Sequence, residues 1–164
     1  QTVASQVTRA ADVAVMTGTN FSSWYNQTEG TVYTEYDSAG GVTPCAVSID
    51  DTTSNNRIQV RRGASAISTT SSFRMVVGGV SAVDSTLTTS AQTLFKQSAA
   101  IKAGDQASAS NGTLFTFTPY ASIPTVTQLN IGNGISSNPV NGHIKRITYY
   151  NKRLTNGELV NLTL

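Results

Sequence analysis

Apolar and polar residues alternate with a period of two along much of this chain. "GTVYTEYD", residues 30–37, sets Val32, Thr34 and Tyr36 against Tyr33, Glu35 and Asp37, and "CAVSID", residues 45–50, sets Cys45, Val47 and Ile49 against Ala46, Ser48 and Asp50. Successive side chains of a strand point to opposite faces, so each run predicts a strand with two unlike faces. Similar short runs predict strands at 11–16, 57–61, 73–77, 93–101, 106–110, 113–118, 128–131 and 143–150. Residues 18–27, with Phe21, Trp24 and Tyr25, read as a connection, Gly40-Gly41 as a turn, and the polar run from Asp51 to Asn56 as a loop. Asn111-Gly112 tolerates the positive φ of a tight hairpin between two of the strands. About ten short strands make a two-sheet sandwich or jelly roll.

Two places break the alternation. Ile144 is out of phase with Ile147 and Tyr149. A β-bulge near Lys145-Arg146 would bring all three to one face; the alternative is that Ile144 covers a different layer. The final "NKRLTNGELVNLTL", 151–164, switches to helix chemistry. Thr155 and Glu158 stand at the spacing of a capping box, and Leu154 and Leu159 at that of a hydrophobic staple. This turn of helix is expected to pin the chain end against the rim of the sandwich.

Composition sharpens the picture. At 164 residues the chain is expected to form one domain, 1–164. Ser, Thr and Asn supply 55 residues while charged residues are only 12%, so the surface is wetted by hydroxyls and amides. Net charge is +2, and the basic pairs Arg61-Arg62, Lys145-Arg146 and Lys152-Arg153 lie scattered without interleaved aromatics. Nucleic-acid binding, which needs a concentrated basic footprint, is not expected. Cys45 is the only cysteine, which rules out an intrachain disulfide and a thiolate metal cluster; it is expected to be a small buried hydrophobe. No run approaches the ~18 apolar residues of a membrane helix, so no membrane insertion is expected. No signal peptide is visible and the chain starts at Gln1, so a piece of a longer protein, with localisation set by the parent, is expected. The sequons at Asn20, Asn26, Asn111 and Asn161 are ordinary chance in so Ser/Thr-rich a chain.

Gly142, Ile144, Ile147, Tyr149, Tyr150, Arg153, Leu154, Thr155, Glu158 and Leu159 resemble the closing signature of concanavalin A-like lectin domains of the laminin-G and pentraxin sort. "SAAIKAGDQASASNGTLFTF", 98–117, resembles the paired strands of that superfamily. "VTRAADVAVMTGTNFSSWYNQTEGTVYTEYD", 7–37, closely resembles a segment of bacteriophage and prophage tail-fibre, tailspike and other virion proteins, followed there by the same sandwich and the same ending in "NGHIKRITYYNKRL". The resemblance implies an all-β, concanavalin A-like jelly-roll β-sandwich of two antiparallel sheets with a short C-terminal helical turn. It further implies a lectin-like domain at or near the C-terminus of a virion adhesion protein, often a homotrimer, made in the bacterial cytoplasm and acting outside it. The expected function is non-catalytic recognition of host cell-surface polysaccharide. The chain departs from the lectins of this fold in having no clear calcium-loop motif.

Sugar binding asks for aromatic faces beside amides and carboxylates. Trp24 and Tyr25 have the chemistry, but the family carries their segment whatever host surface is recognised, so Trp24 is read as a structural plug. Tyr33, Glu35 and Asp37 share one strand face and are candidate glycan contacts, as are Asp51, Asn55, Asn56 and Arg57 in and after the polar loop, and Tyr120 in a long connection. Asp50 and Asp51 are the candidate ligands for calcium, which takes about six to eight oxygens; no cofactor is required by this reading. His143 is the sole histidine, so any triad must use it; beside Gly142 at a strand start it reads as an ordinary imidazole. A glycosidase needs two carboxylates flanking the scissile bond. Glu35 and Asp37 lie two residues apart, roughly 6.6 Å along a strand, but the third carboxylate of the glucanases of this fold is missing. Two rivals to recognition therefore stand: a capping or trimerisation module, marked by an exposed apolar patch, and a hydrolase, marked by carboxylates facing across a groove.

Overall fold

The computed structural model describes residues 14–40, 43–135 and 137–164. Its strands are β1 (Ala14–Thr17), β2 (Glu29–Asp37), β3 (Cys45–Asp50), β4 (Arg57–Arg62), β5 (Ser68–Val77), β6 (Val80–Gln92), β7 (Leu94–Lys102), β8 (Ala107–Ser110), β9 (Thr113–Thr116), β10 (Gln128–Ile131) and β11 (Ile144–Tyr150); the helices are α1 (Thr19–Ser22) and α2 (Asn156–Leu162). A six-stranded sheet has the order β1-β10-β3-β4-β5-β6, and a five-stranded sheet the order β11-β2-β7-β8-β9, with every pairing antiparallel. This is the two-layer sandwich that the alternation predicts.

The period-two pattern decides what lies between the layers. Val47, Ile49, Ile58, Val60, Phe73, Met75 and Val83 from the larger sheet meet Val32, Ala99 and Ile101 from the smaller one in the main core. A second inner cluster joins Tyr36, Ala46, Phe95 and Val140, with Ile144 packed against it. The register of β11 shifts between Ile144 and Arg146, so the bulge forms; Ile147 and Tyr149 reach the main core while Ile144 packs at its end. Asn111 and Gly112 take φ of 45° and 77°, and Ser110 pairs with Thr113 across them, the tight hairpin expected of Asn-Gly.

Three features differ from the sequence expectation. β6 was not anticipated, and β5 begins at Ser68, five residues before the expected Phe73. Ser and Thr dominate both segments, but Gly78 and Gly79 at φ 57° and 84° close a two-residue hairpin that zips them together. The connection 18–27 contains α1. Third, α2 does not sit at the rim. Leu154 and Leu159 bury against Ala100, Ala107 and Ala109, on the outer face of the five-stranded sheet, and Ser98 donates to the Leu159 carbonyl. The capping box of Thr155 and Glu158 forms as expected, each side chain taking the other's backbone N–H. Residues 11–13 and Gly41, included in the expected first strand and first turn, lie outside the described residues.

Candidate functional site

With α2 over one sheet, the outer face of the six-stranded sheet is the remaining broad surface, and the strand register reads off what it displays. Asn130, Ser48, Gln59, Arg74 and Asp84 stand side by side across β10, β3, β4, β5 and β6. The neighbouring rows hold Gln128, Asp50 and Arg57 on one side, and Arg61 and Ser72 on the other. Arg57 and Arg61 thus flank Gln59 on one strand, and Arg74 stands opposite Gln59 on the next. Diagonal positions of a sheet lie about 7–8 Å apart, so Arg74 neighbours both, while Arg57 and Arg61 stand roughly 13 Å apart along β4; the three form an open triangle with Arg74 at its apex.

These residues face away from the core, yet Arg57 is only 8% exposed and Gln59 3%. Part of the cover comes from the loop between Gly132 and Val140. A Cβ on Gly134 would stand 2.8 Å from Gln59 Nε2 and 3.3 Å from the Cys45 Cβ, so glycine lets the loop lie on this face and buries the thiol. Burial pushes the Cys45 thiol up to about 12, consistent with an inert small hydrophobe.

Two of these arginines share a carboxylate. Arg61 Nη2 donates to Ser72 Oγ at 3.1 Å and to Asp84 Oδ1 at 3.2 Å, and Arg74 Nε stands 3.5 Å from Asp84 Oδ2. One carboxylate therefore serves two guanidiniums. Burial lowers the Arg57 pKa from its ordinary value, and the Arg74 and Arg61 charges lower it further; burial does the same at Arg61, where Asp84 pulls the other way. Buried Arg61 Nε has no hydrogen-bond partner. Asp50, paired across the strands with Arg57, adds a second carboxylate at one end of this face, held by donors from Ser48 Oγ, the Thr52 N–H, Gln128 Nε2 and Asn130 Nδ2 at 2.7–3.1 Å.

The expected contact residues do not converge. Of the glycan candidates, Arg57 lies in the arginine triangle, and Asp51, Asn55 and Asn56 cluster at its strand ends. Asn56 Nδ2 donates to Asp51 Oδ2, and Asn56 Oδ1 accepts from the Gly78 N–H, so this loop braces the β5–β6 hairpin. Partial burial opposes ionisation of Asp51, but bonds from Thr53 and Asn56 hold its pKa below the ordinary value. Tyr33, Glu35 and Asp37 lie on the other sheet. Tyr33 is buried, with the Arg146 guanidinium 5.5 Å above its ring, so this face is not an open row of polar groups. Asp37 pairs with His143 Nδ1 at 3.1 Å and accepts the His143 N–H. Tyr120 packs its ring against the main core, and its backbone binds both ends of the Gln106 amide. The donor set at Asp50 and Asp51 does not fit calcium, because N–H and O–H donors already occupy both carboxylates. Among the described residues no three or more His, Cys, Asp or Glu side chains cluster to hold a metal.

Arg61, Arg74, Gln59, Gln128 and Asn130 were not anticipated, although the signal was present. In "RIQVRR" the period of two puts Arg57, Gln59 and Arg61 on one face, and it splits the doublet so that Arg62 enters the interior.

No protein-family model and no curated protein sequence matches the chain. Among solved structures it is similar to the CBM40 domain of Ruminococcus gnavus IT-sialidase bound to α2,6-sialyllactose, at TM-score 0.65 and 14% identity over 88% of this chain and 87% of that one. It is also similar to mouse laminin α1 chain domains LG4-5, at TM-score 0.61 and 9% identity over 96% and 48% of the two chains. A third is the SAP-like pentraxin of Limulus polyphemus, at TM-score 0.59 and 13% identity over 86% and 73%. The fold is the jelly-roll sandwich of these lectin-like domains.

Proposed function

We propose that this chain is a non-catalytic glycan-recognition domain of a phage tail fibre or tailspike, and that the outer face of its six-stranded sheet takes a carboxylate-bearing sugar of a host surface polysaccharide. The observation that carries the reading is the row of Arg57, Arg61 and Arg74 on one face, with a single carboxylate, Asp84, shared by Arg61 and Arg74. A guanidinium presents a planar fork of donors that matches a carboxylate, and an incoming anion relieves the crowding of like charge. Gln128 and Asn130 donate their amides to Asp50, which leaves their carbonyl oxygens to accept from sugar hydroxyls.

The similar Ruminococcus gnavus domain is solved bound to α2,6- and α2,3-sialyllactose, both acidic trisaccharides, which supports recognition as the use of the fold. The phage setting rests on the resemblance of residues 7–37 and 141–154. Presentation as a homotrimer in the parent fibre multiplies weak single sites. The domain acts outside the cell on the virion after synthesis in the bacterial cytoplasm, and binding needs no metal or other cofactor. A capping or trimerisation role draws less support. The exposed Val15, Ile67, Val80 and Leu164 are dispersed, with Val15 and Val80 on opposite edges of one sheet. Hydrolysis draws none from Asp37, which is tied to His143 rather than set across a groove from Glu35.

Calorimetric titration with α2,3-sialyllactose and with lactose tests the reading. The acidic sugar is expected to bind at least about tenfold more tightly, a difference of about 1.4 kcal/mol, with EDTA leaving it unchanged. Arg61→Ala and Arg74→Ala are each expected to abolish the preference. Equal binding of the two sugars, or a double variant that keeps the preference, overturns it.

A further inference from the structure

A second concave surface lies at the other sheet's free edge, far in character from the arginine face. Ser23, Trp24, Tyr149, Tyr150, Asn151 and Lys152 line a cleft of about 540 Å³. Tyr150 and Lys152 also line an adjoining cleft of about 400 Å³ with Leu154, Glu158, Asn161 and Leu162. The two share Tyr150 and Lys152 as a wall, one on the Trp24 side of it and one on the α2 side.

The floor is rigid. Trp24 meets Phe21 and Tyr149 edge to face at centroid distances of 5.1 and 5.0 Å, and Tyr25 stacks on both Phe21 and Tyr149. Trp24 Nε1 donates to the Asn20 carbonyl at 2.6 Å, and the Tyr149 hydroxyl accepts the Asn26 N–H at 3.0 Å. A Cβ on Gly30 would stand 2.5 Å from that hydroxyl, so glycine lets the Tyr149 ring lie against β2. Trp24 is thus the plug that its segment suggested, and the same packing holds it in the cleft wall.

The rim differs from the floor. Among the described residues, the side-chain polar groups of Ser23, Tyr150, Asn151 and Lys152 make no hydrogen bond, and the Lys152 charge acts on Glu158. Lys152 and Glu158 contribute one charge of each sign. Fixed aromatic rings beside hydroxyl, amide and ammonium groups suit the apolar C–H faces and hydroxyls of a pyranose, and the balanced charge suits an uncharged one.

We infer that this groove is a second glycan site, taking a neutral oligosaccharide, so that one domain grips an acidic and a neutral stretch of polysaccharide on different sheets. The inference rests on the glycan-recognition reading but on none of the residues that carry it. Two weak sites on one chain raise the avidity of each.

Trp24 is the only tryptophan in the chain, so its fluorescence reports on the groove alone. Maltopentaose, mannopentaose and chitopentaose are titrated against the whole chain. At least one is expected to change the emission saturably, with the affinity falling by about tenfold or more in Tyr150→Ala and Lys152→Ala. Arg61→Ala is expected to leave this titration unchanged, and sialyllactose binding is expected to survive Tyr150→Ala. Loss of the acidic binding alone would therefore remove the arginine-face proposal and keep the groove. No response to any of the three at millimolar sugar, an unaltered response in Tyr150→Ala, or an emission that shifts on diluting the sugar-free protein overturns the inference; the last assigns the groove to a second copy of the chain.

Discussion

Arg62 is fully buried, and it carries the charge that the sequence pattern hides best. Its guanidinium donates to the carbonyls of Thr93, Ser65 and Ala66 at 2.7–2.9 Å and lies 4.6 Å over the Phe95 ring, closing the loop after β4 against the start of β7. Arg62→Met fills much of the space but leaves three carbonyls without a donor. The expected loss is about 3–5 kcal/mol, read as a shift of the urea midpoint with unchanged slope. Asp37 gives a smaller, pH-dependent effect. The His143 N–H holds its pKa below the ordinary 3.8, so its contribution is complete above the unfolded value and is lost as pH falls through the folded one. Urea midpoints between pH 6 and pH 3 should decline less steeply in Asp37→Asn than in the parent. Neither role could be read from residue type. Arg61-Arg62 looked like one basic pair; the period of two in β4 splits it between opposite faces, and the pairing of β4 with its neighbours shows which of the two is inside.

At the scale of elements, what the sequence made legible was whatever depends on local chemistry. The Asn111-Gly112 hairpin and the capping box of α2 follow from a few neighbouring residues, and both form; the bulge in β11, one of two readings of Ile144's phase, is settled by its pairing with β2. β6 was illegible because it is an edge strand with few apolar residues, held by its ladder to β5 rather than by an alternating face. Its turn was legible in principle, since Gly78-Gly79 obeys the rule that marked Asn111-Gly112. The placement of α2 depended on Ala100, Ala107 and Ala109, small residues whose only sequence mark is that they leave room. Burying Leu159 there contributes roughly 1.5–3 kcal/mol, while the box adds less. Thr155→Ala should cost about 1 kcal/mol and lower the melting temperature by about 2–4 °C, measured by circular dichroism. No change would mean that the helix is held by its leucines alone.

For the molecule as a whole, the two-layer architecture was legible because the period of two recurs in strand after strand, whereas the location of a binding surface was not. Which outer face the helix covers, and how much of the other the loop at Gly134 covers, depends on where each comes to rest, and both are tertiary outcomes. The result is a division of labour: one sheet keeps a helix on its back, and the other keeps an arginine-rich face. Backbone amide chemical-shift mapping by NMR with α2,3-sialyllactose tests this most directly. The account predicts saturable shifts centred on Arg57, Gln59, Arg61 and Arg74, with the amides of Tyr33, Glu35 and Ser98 unmoved. Shifts confined to the five-stranded sheet, or none at millimolar sugar, would contradict it.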